Sequence, residues 1–410
     1  MNNNSLYRLI ILSPSGVEVG ALKDYKDFSY GEKRNGFVMA EINMNANNLP
    51  SWALENFKTG CSLLIQRKIN STYKNVWGGI MSNKADWEVN NVNVRTKKAV
   101  FKHFGQDYFD NAPITKNYNV ATDEGLILSD IILYGQNPDN WNAIDPGLAI
   151  TSLEANYGIT IGSVELTGNL TTQDFSSKLV TVGKAIEQVI EAKDPQNKRK
   201  MFQVSPTINN NFIKQFYFWK DYTSNIKAYF NGRSDTGLTN FTKQNILKIK
   251  TTAPDNKNVI IGKGENITKT ARSTTISGLL QRNKARFKEE SYKNVTDPDA
   301  VQDLTNKTLS KFENPERLID IDIMSNDPQI GNFGAGDIVR IDYQCTDDKL
   351  ESVLGNFTVY ELTFKVDSFG RENASMKLAT SDPAELEQGN KKLIMIIKQT
   401  QEKLQLLEQN

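Results

Sequence analysis

The sequence predicts a mixed, mostly β fold: two small antiparallel β-barrel domains with an inserted α/β (α+β) middle region. Three observations carry this. Residues 317–343, RLIDIDIMSNDPQIGNFGAGDIVRIDY, read as two strands joined by a glycine-punctuated turn. Leu318, Ile319, Ile321 and Ile323 sit among Asp320 and Asp322, and Ile338, Val339 and Ile341 follow the Gly334-Ala335-Gly336-Asp337 link. Short apolar runs separated by polar turns fill the first hundred residues in the same style. Between the two β-rich blocks lie two stretches with clear helical spacing. Strands this short, joined by turns this tight, must bend over one core, and a small barrel or sandwich is the cheapest closure, with the strand lengths of the first block and its helical turn favouring the barrel.

A chain of 410 residues is too long for one small core. The expected division is a first barrel over 1–115, a loop-rich α+β insertion over 116–296, a helix plus second barrel over 297–385, and a helical tail over 386–410. With 49 basic and 48 acidic side chains the net charge is +1, so nothing global points to a nucleic-acid binder. Cys61 and Cys345 are isolated in apolar runs and read as buried thiols. His103 is the only histidine, which nearly excludes histidine-based zinc motifs and the serine or cysteine triads. No apolar run approaches the ~18 residues of a membrane span, and the N-terminus lacks a basic n-region and a cleavage signal. A soluble protein without secretion is expected.

In chain order, Tyr7 to Leu12 is a strand, Pro14-Ser15-Gly16 a turn, and 25–30 and 36–44 two further strands. Leu54 and Phe57 suggest a helical turn ended by Gly60. Residues 61–69 and 75–81 make a hairpin around Asn70-Ser71-Thr72. Phe101, Phe104 and Tyr108 would line one face of a helix, as core or as subunit contact. Residues 115–170 read as a linker or loop zone. The clearest helix runs over 174–192, with Phe175, Leu179, Val182, Ile186 and Val189 as its stripe and Thr171 or Thr172 as N-cap. Lys198-Arg199-Lys200 reads as a solvated basic loop.

An aromatic patch follows, including Phe212, Phe216, Tyr217, Phe218, Trp219, Tyr222, Tyr229 and Phe230. Phe216, Trp219 and Tyr222, with Phe101, Phe104 and Tyr108, are the interface candidates, since aromatics are enriched in cores and contacts alike. The same patch superficially resembles a stacking surface for bases or sugars. Gly262-Lys263-Gly264 lacks the spacing of a phosphate loop. Lys269, Arg272, Arg282, Lys284, Arg286 and Lys288 form the best local basic patch. Asp297 and Pro298 fit the N-cap and N1 positions of a second helix, with Val301, Leu304, Thr308 and Phe312 inside and Asn314-Pro315 at its end. Ile397, Thr400, Leu404 and Leu407 follow heptad spacing; a helix this short needs a neighbour, and Ile397, Leu404 and Leu407 are its contact candidates.

The order of these blocks, and some phrases within them, resemble the tail-hub and baseplate-hub family of tailed bacteriophages. The phrases are YRLIILSPSG (7–16), FSYGEKRNGFVMAEIN (28–43), VWGGIMSNKADW (76–87) and, most characteristic, the helix beginning AVQDLTNKTLSKFENP at 300–315 that leads to the FGAGDIV phrase at 333–339. The resemblance implies two barrels with an inserted middle domain, in a homotrimer whose six barrels adapt a hexameric tail tube to a threefold tip. It implies as partners the tail tube or distal tail protein and a central spike or fibre, in the virion tail tip or baseplate after synthesis in the host cytoplasm. No membrane and no specific nucleic acid is implied, with the ring's hole left for DNA to pass. The chain leaves no room for a hydrolase after the second β block, so such an activity is expected to belong to another protein.

Gly334, Gly336 and Asp337 are expected to build a structural turn. No catalytic centre, metal or cofactor is expected. The rival readings are a carbohydrate- or receptor-binding tail protein using the aromatic patch, and a cell-wall hydrolase using paired carboxylates such as Asp320 with Asp322 or Asp347 with Asp348. Asp297, Asp299 and Asp303 come closest to a calcium loop, but a helix N-terminus explains the first two.

Overall fold

The computed structural model describes residues 6–45, 47, 49–69, 71–81, 86–90, 94–175, 180–191, 200–205, 214–220, 222, 225–233, 245–252, 259–273, 287–292, 298–313, 318–324, 327–344 and 352–379. Two compact units divide the chain: one of 1–248, 321–378 and 382–410, the other of 249–320 and 379–381.

In the larger unit the β-rich blocks share one sheet. From Glu372–Ala379 it passes to Val353–Asp367, Asp27–Lys33, Ala40–Asn45, Val94–His103, Thr72–Ile80, Ser62–Ile69, Tyr7–Leu12 and Glu18–Leu22. The 15-residue strand Val353–Asp367 is the link. Its first part pairs antiparallel with Ile338–Gln344, Ile338 opposite Thr358. Its second part pairs with Asp27–Lys33, Phe364 opposite Tyr30. Arg34 N–H donates to the Tyr360 carbonyl where the partner changes (2.9 Å).

This corrects the expectation of two closed barrels: none of the described sheets closes on itself. An open edge needs its backbone groups satisfied, and here each block satisfies the other. The period-2 pattern is clear in the strands Glu372–Ala379 and Ala40–Asn45. Glu372–Ala379 is buried at every second residue from Glu372 to Leu378, and Ala40–Asn45 buries Ala40, Ile42 and Met44.

Residues 115–170 form helices and strands where a linker or loop zone was expected. A three-stranded sheet runs Ile159–Val164, Lys214–Trp219, Met201–Ser205, the first pair parallel and the second antiparallel. The helices Phe104–Asn111, Glu124–Tyr134 and Val182–Glu191 enclose its core with Phe202, Val204, Phe216 and Phe218. Glu124–Tyr134 buries Ile127, Leu128, Ile131 and Ile132 while leaving Leu126 and Leu133 exposed. Being apolar nearly all round, it shows little amphipathic contrast in the sequence.

Val182–Glu191 begins later than its stripe suggested. Leu170–Asp174 is a strand paired with Asn117–Asp123, so Thr171 and Thr172 lie in a strand rather than at a cap. Thr181 takes the capping role, its Oγ1 accepting from Lys184 N (3.4 Å). Phe101 likewise ends up in the strand Val94–His103, not on the helix that starts at Phe104.

In the smaller unit Val259–Lys263 lies between Thr268–Arg272, antiparallel, and Phe287–Ser291, parallel. The helix Pro298–Glu313 covers this sheet with Val301, Thr305 and Leu309 rather than Leu304 and Thr308 as its most buried line. Asp297, Arg282, Lys284, Arg286, Cys345, Asp347, Asp348 and the 386–410 tail with Ile397, Leu404 and Leu407 lie outside the described residues.

Candidate functional site

Two clusters of buried charge stand out, and both bring together distant parts of the chain. The first joins the β blocks. Arg67 Nε donates to Glu372 Oε2 at 2.9 Å, Nη2 to Oε1 at 3.4 Å, and Nη1 to the Ile330 carbonyl at 3.0 Å. Tyr7 O–H adds a bond to Glu372 Oε2 at 2.7 Å and lies 3.0 Å from the Tyr30 hydroxyl. Glu372 is fully buried and Arg67 nearly so. Burial, with the neighbouring Tyr30 and Glu372, pushes the Tyr7 phenol far above its usual range, so it stays a donor. An isolated carboxylate would be costly here; three donors make it tolerable.

The second cluster is a junction of three chain regions. Lys200 Nζ meets Glu124 Oε2 at 2.6 Å, both side chains almost wholly buried. The Lys200 carbonyl accepts from Arg34 Nη2 (3.3 Å) and Asn35 Nδ2 (3.1 Å), while Phe202 N donates to Asn35 Oδ1 (2.9 Å). Lys200 therefore leaves the solvated loop in which the basic run placed it; Lys198 and Arg199 lie outside the described residues. Beside it, Ala335 N donates to Glu32 Oε2 (3.2 Å). Burial drives the enclosed Glu32 carboxyl upward, the Ala335 bond opposes this, and nearby Asp337 adds to it.

The glycine phrase closes this junction. Gly336 has φ +95°, and a Cβ there would sit 2.5 Å from the Met201 sulfur. Asp337 Oδ2 accepts from Gly334 N (2.9 Å) and Oδ1 from Tyr222 O–H (2.7 Å). Gly336 N and Val359 N complete the turn by bonding to the Val359 and Asp337 carbonyls.

Asn35 shows a device repeated in the chain. A carboxamide carries the same donor and acceptor as a peptide group and can finish a strand edge. Gln136 bonds both N–H and C=O of Ile159 (3.0 and 2.7 Å), and Gln329 does the same to Tyr229 (2.8 and 2.7 Å). Asn140 bridges the Thr115 N–H and the Pro113 carbonyl. In the sequence these residues look like ordinary surface amides.

His103 is buried as a helix N-cap: its Nδ1 accepts from Gly105 N (3.1 Å), and its ring stacks on Phe37 at 4.9 Å and 20°. The bond places its ring proton on Nε2. Burial, helped by Lys214, pushes its pKa down to about 3. Lys214 is itself lowered to about 8 by burial, against the attraction of Asp107.

Of the interface candidates, Phe101, Phe104, Tyr108 and Phe216 are buried within the chain and present no surface to a partner. Trp219 and Tyr222 stay half-buried, 5.8 Å apart. The reason is strand alternation: Phe216 and Phe218 point inward, Tyr217 and Trp219 outward. On Leu318–Ile323, Asp320 and Asp322 alternate with buried isoleucines, and Asp322 Oδ1 accepts from Ser375 Oγ at 2.7 Å. Among the described residues no group of three His, Cys, Asp or Glu is placed to hold a metal ion, and no helix is long and apolar enough to cross a membrane.

Sequence reading did not single out Arg67, Glu372 or Glu124, and it placed Lys200 in a solvated loop. Arg67 left a signal, a charge inside the apolar run SLLIQRKI, but its partner lies 305 positions away.

No protein-family model and no curated protein matches this sequence. Among solved structures it is similar to the tail protein from Neisseria meningitidis MC58, at 11% identity and TM-score 0.53, over 92% of this chain and 97% of that one. It is also similar to the 43 kDa tail protein of prophage MuSo2 from Shewanella oneidensis, at 10% identity and TM-score 0.56, over 91% and 98%. At these identities the likeness is one of fold, and it runs nearly end to end.

Proposed function

We propose that this chain, built on the fold of phage tail proteins, is a structural hub of a bacteriophage tail tip or baseplate. The observation that carries the reading is the end-to-end fold likeness to two tail proteins. The buried charge clusters add to it, since they weld distant chain regions into one unit and leave their polar groups facing one another rather than a cleft. The role is mechanical, not catalytic.

In this reading three copies form a closed ring. Their two β blocks present six similar surfaces to a hexameric tail tube or distal tail protein, and a central spike or fibre seats below. The ring belongs to the virion tail tip, is assembled in the host cytoplasm, and leaves an axial hole through which DNA passes.

The test is sedimentation and negative-stain imaging of the purified protein at micromolar concentration. Trimers with an axial hole are expected. Monomer alone, both by itself and mixed with tube protein, would sink the reading.

A further inference from the structure

The outer face of the middle three-stranded sheet has a composition that the hub reading does not use. Down its central strand run Gln215, Tyr217 and Trp219, each half-buried, while their neighbours Phe216 and Phe218 fill the core. Register places Thr160 opposite Gln215 on one side, and Gln203 opposite Tyr217 on the other. Thr160 and Gln203 are exposed.

The Tyr217 and Trp219 rings lie parallel, 6° apart in plane and 5.7 Å between centroids. Tyr217 leans over Gly162 of the adjacent strand, where a Cβ would come within 2.6 Å of its ring. Only glycine leaves room for that ring to lie on the sheet. Tyr217 O–H donates to Gln215 Oε1 (2.7 Å), which fixes the phenol and leaves the Gln215 amide hydrogens to donate outward. At the Trp219 end the face is walled by Tyr222, held by Asp337, and by buried Met201 against Gly336. Beside Gln203 and Met201 opens a small cavity of about 50 Å³ that also reaches Glu32 and Trp77.

The chemistry of this ledge is specific. Two stacked rings offer an apolar, polarisable surface, and the residues flanking them carry amides that donate and accept and the Thr160 hydroxyl, which gives its hydrogen to the Lys214 carbonyl (3.2 Å) and accepts from outside. The nearest charges at the strand end, Lys220 and Glu165, are of opposite sign, with Lys220 N bonded to Glu165 Oε2 (3.2 Å). A phosphate-bearing ligand would want net positive charge here, and among the described residues the face carries none. A pyranose presents one C–H face and a belt of hydroxyls, matching rings below and amides at the side.

We propose that this face binds a neutral oligosaccharide, with Tyr217 and Trp219 as the stacking surface and Thr160, Gln203 and Gln215 as the hydrogen-bonding rim. The site stands independently of ring assembly.

The experiment is calorimetric titration of the full chain with cellohexaose, chitohexaose and maltohexaose, with light scattering run in parallel. At least one sugar is expected to bind, and Trp219→Ala to weaken it by about tenfold or more, with Trp219→Phe retaining part of the affinity. Gln203→Ala, on the exposed rim where folding is not at stake, is expected to weaken the same sugar by a few-fold, roughly the loss of one hydrogen bond. No heat from any of the three sugars at millimolar concentration overturns the proposal. Binding that survives both Trp219→Ala and Gln203→Ala overturns it too. So does a drop in oligomeric state with Trp219→Ala and no sugar binding, which would make the face a contact between copies. The two sugar-binding outcomes leave ring formation untouched, and only the last, read by light scattering, bears on assembly.

Discussion

The Arg67–Glu372 and Lys200–Glu124 pairs are both buried ion pairs, yet they are built differently. Arg67 presents a planar fork, two arms on one carboxylate and the third on a backbone carbonyl, with a tyrosine completing the set. Lys200 meets its carboxylate as a single point charge, and the precision at that residue comes from its backbone, clasped by Arg34 and Asn35. The first fixes two sheet segments against each other through side chains. The second docks a helix by charge and a strand edge by amides. A buried pair adds little net stability over apolar packing, but breaking one side of it is costly. The two differ mainly in how much geometry they specify.

The largest effect should come from breaking the first pair. Arg67→Met leaves the Glu372 carboxyl buried without its cationic partner, and is expected to cost about 3–5 kcal/mol in urea unfolding. The double change Arg67→Met with Glu372→Leu should recover most of that loss. If the single variant is as stable as the parent, the pair does not hold the blocks together.

Lys200→Met strands Glu124 in the same way but removes a point charge rather than a three-armed fork, so about 3 kcal/mol is expected, near the low end for such pairs. Amide exchange should separate the two sites: Lys200→Met ought to expose the Glu124–Tyr134 helix first, whereas Arg67→Met ought to expose Val353–Asp367. Equal and global loss of protection in both would erase the distinction.

His103 sharpens the comparison from the side of pH. Its folded pKa, about 3, lies below the ordinary 6.5, so the folded state resists taking the proton. The stability tied to neutral His103 is therefore complete above pH 6.5 and is lost as pH falls toward 3. At pH 4 the loss should reach no more than about 3 kcal/mol. His103→Gln, which keeps an acceptor, should flatten this part of the profile; an unchanged slope would remove His103 from the account.

The smallest expected effect is at the turn beside the second pair. Gly336→Ala forces a side chain into φ +95° against Met201 and should cost about 1–2 kcal/mol. Gly336→Val should cost more and lower folded yield. Full stability of the valine variant would mean that the junction relaxes around this turn.

Local physics was legible in the sequence. Short apolar runs and turn residues marked strands such as Tyr7–Leu12, Ile338–Gln344 and the hairpin of Ser62–Ile69 with Thr72–Ile80, the last starting three residues before its expected 75–81, because side-chain direction along a strand depends only on neighbours one and two residues away. The helix Pro298–Glu313 was legible from its proline and spacing, and the need for a φ-permissive glycine from the Gly334–Asp337 phrase.

What the tertiary structure decided depends on partners far along the chain. Whether Val353–Asp367 closes its own block or crosses to Asp27–Lys33 is a matter of which edge is in reach, and no local pattern encodes it. Phe216 and Trp219 are equally aromatic in the sequence; only the helices covering one face of their sheet make one core and the other surface. Lys200 reads as solvent-bound until Glu124 and Asn35 are brought to it, because a charge is buried only where something distant neutralises it.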